Sequence, residues 1–549
     1  MVFSQRLCVS AVQLRLPGLS DVCWLRLPAL HLAARMLEAR LFCEHRNIDL
    51  NNYTMSFDYL QILTIIHFAS LGGLLFYGLH RLWLIACWFM ERRKESHAPL
   101  PDKTTDFPVV TVQLPFYNER FVAARLIEYA ARLEWPKNKL EIQVLDDSTD
   151  DTVGIVDETV KRLAPEGANI RVLRREHRQG YKAGALQEGM AHAAGEFIAI
   201  FDADFLPQPD FLVRTVPCFS DPKIGMVQAR WTFLNAGASW LTGVQSLLLS
   251  PHFGIEHRVR CGRNLFFNFN GTAGIWRRSA IESAGGWKAD TVTEDLELSY
   301  RAQLLGWKFI YRDDIAVPSE LPITLAAFRS QQQRWAKGST QTARKILPRL
   351  FASPLPLAVK IEAAAHLLAN FGWLLGALTT LTLYAAITWR VGIGPYQLLK
   401  IDLPLLAGTS FAILIYFFAY ALVCGSNKSL RWLPLLPVFG IGMAPSIALS
   451  VIKGALSSGG HFERTPKFGV QGNQSPPMTA FLYRQKAVPY LVMNTLFLCY
   501  SFLPVIFSWQ RETWLAIPFL LLFPAGFMLV ILKDLADMMQ IRRNVGAGG

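Results

Sequence analysis

Apolar positions divide the chain into three regimes. Residues 59–90 form an apolar run, interrupted by His67, His80 and Arg81, with Arg92, Arg93 and Lys94 directly behind it. A helix of about 20 apolar residues crosses a bilayer, so this run predicts a span. From 108 to about 349 short apolar runs alternate with amphipathic stretches. PVVTVQLP, LEIQVLDDS, ANIRVLRR and EFIAIFDAD read as strands, whereas NERFVAARLIEYAARL, the stretch from Thr152 and KAGALQEGMAHAA read as helices. This alternation predicts an α/β domain with a mostly parallel sheet and ligand chemistry at the carboxyl ends of its strands. Beyond Pro354 the chain turns apolar again. Runs at 363–389 and 403–425 predict two spans, and those at 488–509 and 514–535 a closing hairpin. The run at 432–452 carries Pro434, Pro437 and Pro445 and has Lys428, Arg431 and Lys453 at its ends. Basic residues on both flanks suit a segment that starts and ends on one side, so it is read as interfacial or re-entrant.

The predicted organisation is therefore a poorly ordered segment 1–57, a transmembrane helix 58–91 and a soluble domain 105–349. Two transmembrane helices within 355–425, an interfacial or re-entrant helix 432–453 and a loop 454–487 follow. A transmembrane hairpin 488–536 and a tail 537–549 complete it. The basic residues behind the first span place the soluble domain, the loop and the tail in the cytoplasm. Composition agrees: 52% of residues are hydrophobic and 18% charged, against roughly a quarter charged in soluble domains. A net charge of +13 reads as this cytoplasmic bias, suited to a nucleotide diphosphate and anionic lipid headgroups, with no nucleic acid as partner. The eight cysteines show no C-x-x-C and no His/Cys ligand spacing, which argues against zinc and against a disulfide scaffold.

Candidate chemistry collects at the predicted strand ends. Asp146 and Asp147 close the second strand, and Asp202 and Asp204 follow the fourth as Asp-Ala-Asp. Two carboxylates one residue apart can share Mg²⁺ or Mn²⁺ with phosphate oxygens. The loop HRQGYKAG brings Lys182 to the start of a helix, where backbone N–H groups and an ammonium suit a diphosphate. No G-x-x-x-x-G-K-[ST] is present, so a P-loop hydrolase is not supported. Three groups then follow in order: Phe269-Asn270-Gly271-Thr272, Thr293-Glu294-Asp295 and Gln331-x-x-Arg334-Trp335. A carboxylate beside a Gly-rich apolar platform can act as a general base, while Arg and Trp can hold a diphosphate and stack on a sugar.

In this order and spacing the motifs resemble the processive family-2 glycosyltransferases, bacterial cellulose synthase and more closely the plant cellulose-synthase-like mannan and glucan synthases. The resemblance covers about residues 105–345. It implies a GT-A (Rossmann-like) fold in which Asp146 and Asp147 contact the base, Lys182 approaches the nucleotide, and Asp202 and Asp204 hold the diphosphate through Mg²⁺ or Mn²⁺. Asp295 would be the general base, with Glu294 beside it binding the acceptor. Gln331, Arg334 and Trp335 would bind the pyrophosphate and the acceptor end, and Phe269, Asn270, Gly271 and Thr272 would seat the acceptor's terminal sugar. Bacterial cellulose synthases have a Cys-containing loop at that last position, so their acceptor details do not transfer. Phe462-Glu-Arg-Thr465-Pro-Lys467 resembles the F-x-V-T-x-K gating loop, with Arg464 in place of Val.

The resulting expectation is an inverting hexosyltransferase that elongates a β-linked polysaccharide from UDP-glucose or GDP-mannose and couples this to export. It would work in a plasma (inner) membrane rather than a Golgi-type one, with room for cell-envelope partner proteins. Two other readings stand beside it: a non-processive transferase acting on a lipid acceptor, and a transporter with a regulatory nucleotide-binding domain.

Overall fold

The computed structural model describes residues 50–91, 107–423, 427–461, 464–470, 472 and 488–546. The expectations for residues 1–49 and for Phe462 lie outside them. The chain divides into two units, Met1–Ile62 and Leu63–Gly549. In the first, the described residues are the opening of helix α1 (Leu50–Glu91).

The second unit contains the α/β domain. Its elements run β1 (Val110–Phe116), α2 (Ala123–Ala131), β2 (Leu140–Asp146), α3 (Thr152–Leu163), β3 (Ile170–Leu173), α4 (Tyr181–His192) and β4 (Phe197–Ile200). Next come β5 (Ile224–Phe233), α5 (Trp240–Pro251), β6 (Gly274–Arg277), α6 (Glu294–Leu304), β7 (Lys308–Ser319) and α7 (Leu325–Ala352). The seven strands lie in the order β3-β2-β1-β4-β6-β5-β7. All neighbouring pairs are parallel except those of β6, which is antiparallel to β4 and to β5. The expected mostly parallel sheet is present, and the reversed β6 has a functional consequence. Residues just before β6 lie at the same sheet edge as those just after β4.

Both sheet faces are covered, which is why the strands are apolar almost throughout. Val112, Leu114, Ile142 and Val144 pack against Leu126 and Ile127 of α2 and Val156 of α3. Leu145, Ile198 and Ile200 on the other face meet Leu186 and Met190 of α4. Buried polar side chains on that second face pair in register. Thr111 Oγ1 donates to Glu141 Oε2 at 2.7 Å, and Gln113 Nε2 to Gln143 Oε1 at 3.1 Å.

Among the described residues five helices are long and apolar enough to cross a membrane: Tyr59–Glu91, Lys400–Val423, α8 (Leu435–Leu456), α9 (Val488–Gln510) and Trp514–Gln540, which contains most of α10 (Leu522–Gly546). The run 363–389, expected as one span, is divided among Leu357–Leu367, Phe371–Leu381 and Leu383–Ile393, with a 59° bend between the first two. At the bend Asn370 Nδ2 donates to Ser339 Oγ of α7 at 2.8 Å, drawing the chain toward the soluble domain. Segment 432–453, expected as interfacial or re-entrant, is largely the 22-residue helix α8. It is 61% buried against 22–33% for the other four, so protein rather than lipid surrounds most of it.

α7 joins the two halves. Leu325, Phe328 and Ala336 share an apolar cluster with Phe439, Met443, Ile447 and Val451 of α8 and Val530 of α10. Arg329 Nη2 donates to Asp534 Oδ2 at 2.6 Å, and both side chains are buried. Gln333, on the same helix, receives a hydrogen bond from Tyr490 of α9 and donates to Ser446 O of α8.

Candidate active site

A cleft enclosing about 1160 Å³ of atom-free space, part of it open to solvent, lies at the carboxyl edge of the sheet. Its walls come from the ends of β1, β4 and β7, the approach to β6, the first turn of α6, one face of α7 and the segment 464–467. Twelve of the expected site residues meet there: Lys182, Asp202, Asp204, Asn270, Gly271, Glu294, Asp295, Gln331, Arg334, Trp335, Thr465 and Lys467. They are drawn together by topology: strand ends share one edge, and the antiparallel β6 returns Asn270 and Gly271 to it.

Lys182 stands in the first turn of α4, which opens on two left-handed residues, Gly180 and Tyr181. Its Nζ pairs with Asp202 Oδ1 and donates to Gly271 O at 2.8 Å. Burial works against the ammonium, but Asp202 and Glu294 outweigh it and raise the pKa. Glu294 and Asp295 begin α6, where the positive end of the helix dipole favours carboxylates. Burial pushes the Asp295 carboxyl up to about 7, with Glu294 adding to the shift and Lys182 opposing it. Burial raises Glu294 as well, partly offset by Lys182. A carboxylate poised near neutrality can accept a proton from a substrate hydroxyl.

Asp146 and Asp147 do not line the cleft. Arg174 Nε donates to Asp146 Oδ2 at 2.9 Å, and Arg175 Nε to Asp147 Oδ1 at 3.0 Å. Both arginines follow β3, which lies beside β2 in parallel, so register brings them to the β2 end. Phe269 is fully buried against Trp276, and Thr272 Oγ1 accepts a hydrogen bond from Asp202 N at 2.8 Å. These two shape the site from beneath.

The segment 464–470 lies across the cleft as a strap. Arg464 pairs with Glu119 (Nε to Oε1, 3.0 Å) and donates to Asn118 O. Lys467 Nζ donates to Asp204 Oδ2 at 2.7 Å and to Glu320 O at 2.8 Å. The Glu320 carboxylate accepts from Phe468 N at 3.0 Å and Gly469 N at 2.8 Å. Phe468 and Val470 pack on Ile323. Burial pushes Glu119 up to about 8 against the pull of Arg464.

Sequence reasoning missed Tyr117, Glu119, Arg178 and Glu320, all of which line the cleft. Arg178 Cζ lies 3.4 Å from the ring centroid of Tyr117. The rule that chemistry sits at strand ends points to Tyr117 and Glu119, which follow β1 directly. Nothing in the sequence marks Glu320.

Asp202 and Asp204 fit a divalent cation in part. Each has one oxygen engaged by a lysine, while Asp202 Oδ2 and Asp204 Oδ1 have no hydrogen bond among the described residues. No group of three His, Cys, Asp or Glu able to hold a metal occurs among the described residues. Such a cation would complete its shell with phosphate and water oxygens.

A family model described as "Glycosyltransferase like family 2" matches residues 108–338. Glucomannan 4-beta-mannosyltransferase 7 of Arabidopsis thaliana is 48% identical over 255 residues, 46% of this chain and 46% of the relative. Glucomannan 4-beta-mannosyltransferase 1 of Oryza sativa subsp. japonica is 46% identical over 283 residues, 50% of this chain and 54% of the relative. The chain thus spans about half the length of the curated relatives it matches. The solved mannosyltransferase PcManGT from Pyrobaculum calidifontis, in complex with GDP-Man and Mn²⁺, superposes with a TM-score of 0.50 at 21% identity. That match covers 71% of this chain and 99% of the other, and it shows a common fold. The motifs, the sheet and these relatives agree that the chain carries a glycosyltransferase family 2 domain of GT-A fold at residues 108–338.

Proposed function

We propose that this chain is a membrane-embedded inverting hexosyltransferase that elongates a β-linked glycan, with GDP-mannose as its donor. The observation that carries the reading is Asp295: a cleft-lining carboxylate poised near neutrality, beside Lys182 and facing the Gln331, Arg334 and Trp335 wall. The names of the relatives, glucomannan 4-beta-mannosyltransferases, support mannose as the sugar and a β-glycan as the product.

The donor's anomeric carbon faces an acceptor hydroxyl over Asn270, Gly271 and Trp335. Asp295 takes the hydroxyl proton as the new C–O bond forms and the bond to the diphosphate breaks. Lys182 and Arg334 meet the charge of the departing diphosphate. A divalent cation held by Asp202 and Asp204 supplies further neutralisation of that charge when bound. A single base suffices, since no sugar–enzyme bond is formed. The basic residues that follow α1 in the sequence support a cytoplasmic cleft, and the product leaves through the spans.

Purified protein in lipid vesicles, given GDP-mannose or UDP-glucose and then subjected to linkage and size analysis, tests this. A 4-linked β-mannan made from GDP-mannose is the expected result. Transfer from UDP-glucose alone would overturn the donor assignment, and a singly glycosylated lipid would overturn elongation.

A further inference from the structure

The strap holds itself in the cleft with the same charges that a donor complex would use. Among the described residues six carboxylates line the cleft: Glu119, Asp202, Asp204, Glu294, Asp295 and Glu320. Five cations oppose them, and two of the five, Arg464 and Lys467, arrive on the strap. Each has an acidic partner beside a backbone carbonyl: Arg464 sits on Glu119, Lys467 on Asp204, and the backbone after Lys467 on Glu320. Lys182 differs from Lys467 in its support. Each lysine has a second, backbone acceptor, Gly271 O for Lys182 and Glu320 O for Lys467, but Lys182 rises from helix α4. Lys467 stands on a seven-residue stretch without helix or strand.

We propose that Lys467 is an internal counter-ion that stands in for the divalent cation at Asp204, so that metal entry and strap release are one exchange. The inference rests on the reading of Asp202 and Asp204 as the metal-holding pair. An ammonium at 2.7 Å from Asp204 Oδ2 repels a second cation from the same carboxylate. Lifting the strap takes two positive charges out of the cleft and frees Asp204 Oδ2 from its ammonium, and both changes favour entry of a divalent cation. The free site therefore holds metal weakly, and the donor brings its cation with it, since the diphosphate supplies oxygen ligands and gives Lys467 a new anion to meet. The exchange moves a counter-ion and makes or breaks no covalent bond.

Manganese titration followed by electron paramagnetic resonance reads this directly. It uses the full chain in detergent, first without nucleotide and then with GDP. Lys467→Met should tighten nucleotide-free Mn²⁺ binding by about tenfold or more, the low end of what a neighbouring charge does to a carboxylate's hold on a proton. Lys467→Arg keeps the charge and should bind as weakly as the parent chain. Equal nucleotide-free affinity in the parent and Lys467→Met, with GDP-dependent Mn²⁺ binding intact in both, would overturn the exchange and leave the metal pair standing. Absence of Mn²⁺ binding in every variant, with and without GDP, would overturn the metal pair itself and the exchange with it.

Discussion

A methyl group on Gly271 would lie 2.9 Å from Asp295 Oδ2 and 3.4 Å from Lys182 Nζ. The residue's φ of +80° also lies in the left-handed region, which disfavours any side chain. Gly271→Ala must therefore move the base, the lysine or the loop. Turnover should fall by about a hundredfold, the cost of roughly 1 Å of misplacement at a reacting centre. Nucleotide affinity, measured by calorimetry, should change far less.

Asp295 sets a pH dependence. Its carboxyl titrates near 7, and only the ionised form can take a proton. Activity should rise with pH through about 7 and flatten above it. Asp295→Asn should lower turnover by about two to four orders of magnitude and abolish that rise while nucleotide binding persists. A variant with near-parental turnover would transfer the role to Glu294.

Metal dependence should follow the carboxylates on either side of Ala203. EDTA should stop glycosyl transfer, and Mn²⁺ or Mg²⁺ should restore it. Asp202→Asn and Asp204→Asn should each remove activity at every metal concentration. Undiminished transfer in chelator would take the metal out of the mechanism.

Thr465 is buried, and its hydroxyl has no partner among the described residues. An unbonded buried hydroxyl costs about 1–3 kcal/mol. Thr465→Val should leave the melting temperature unchanged or raise it, yet raise KM for the nucleotide sugar several-fold as the donor loses a hydrogen bond. An unchanged KM would make the hydroxyl a bystander.

The pair of Arg329 and Asp534 is buried on both sides. Arg329→Met leaves a carboxylate alone, and breaking a buried pair costs about 3–5 kcal/mol. Thermal unfolding in detergent should register this loss, and activity should fall with it because Gln331, Arg334 and Trp335 ride on the same helix.

The first half of the sheet was readable because β1, β2 and β4 are short apolar runs bounded by polar turns. The second half was not. β6 has only Ile275 and Trp276 between a glycine and an arginine, and β7 carries Asp313 and Asp314 at an irregularity in its register with β5. Strand ends gave Asp202 and Asp204 their address, and both line the cleft. The pairing of Asp147 with Arg175 was not legible, because that arginine lies 28 residues away and reaches it only through strand register. Glu320 escaped notice because its ligands are backbone N–H groups, which no sequence displays.

The family match ends at residue 338, inside the continuous helix Leu325–Ala352. A gene fragment cut near that point would sever one wall of the cleft and strip Phe328 and Ala336 of their cover. The transferase domain is therefore not a removable cartridge. Chimaeras that exchange donor specificity between relatives should carry α7, α8 and α10 across as a single block, and crystallisation of the domain alone should fail for want of its own hydrophobic backing.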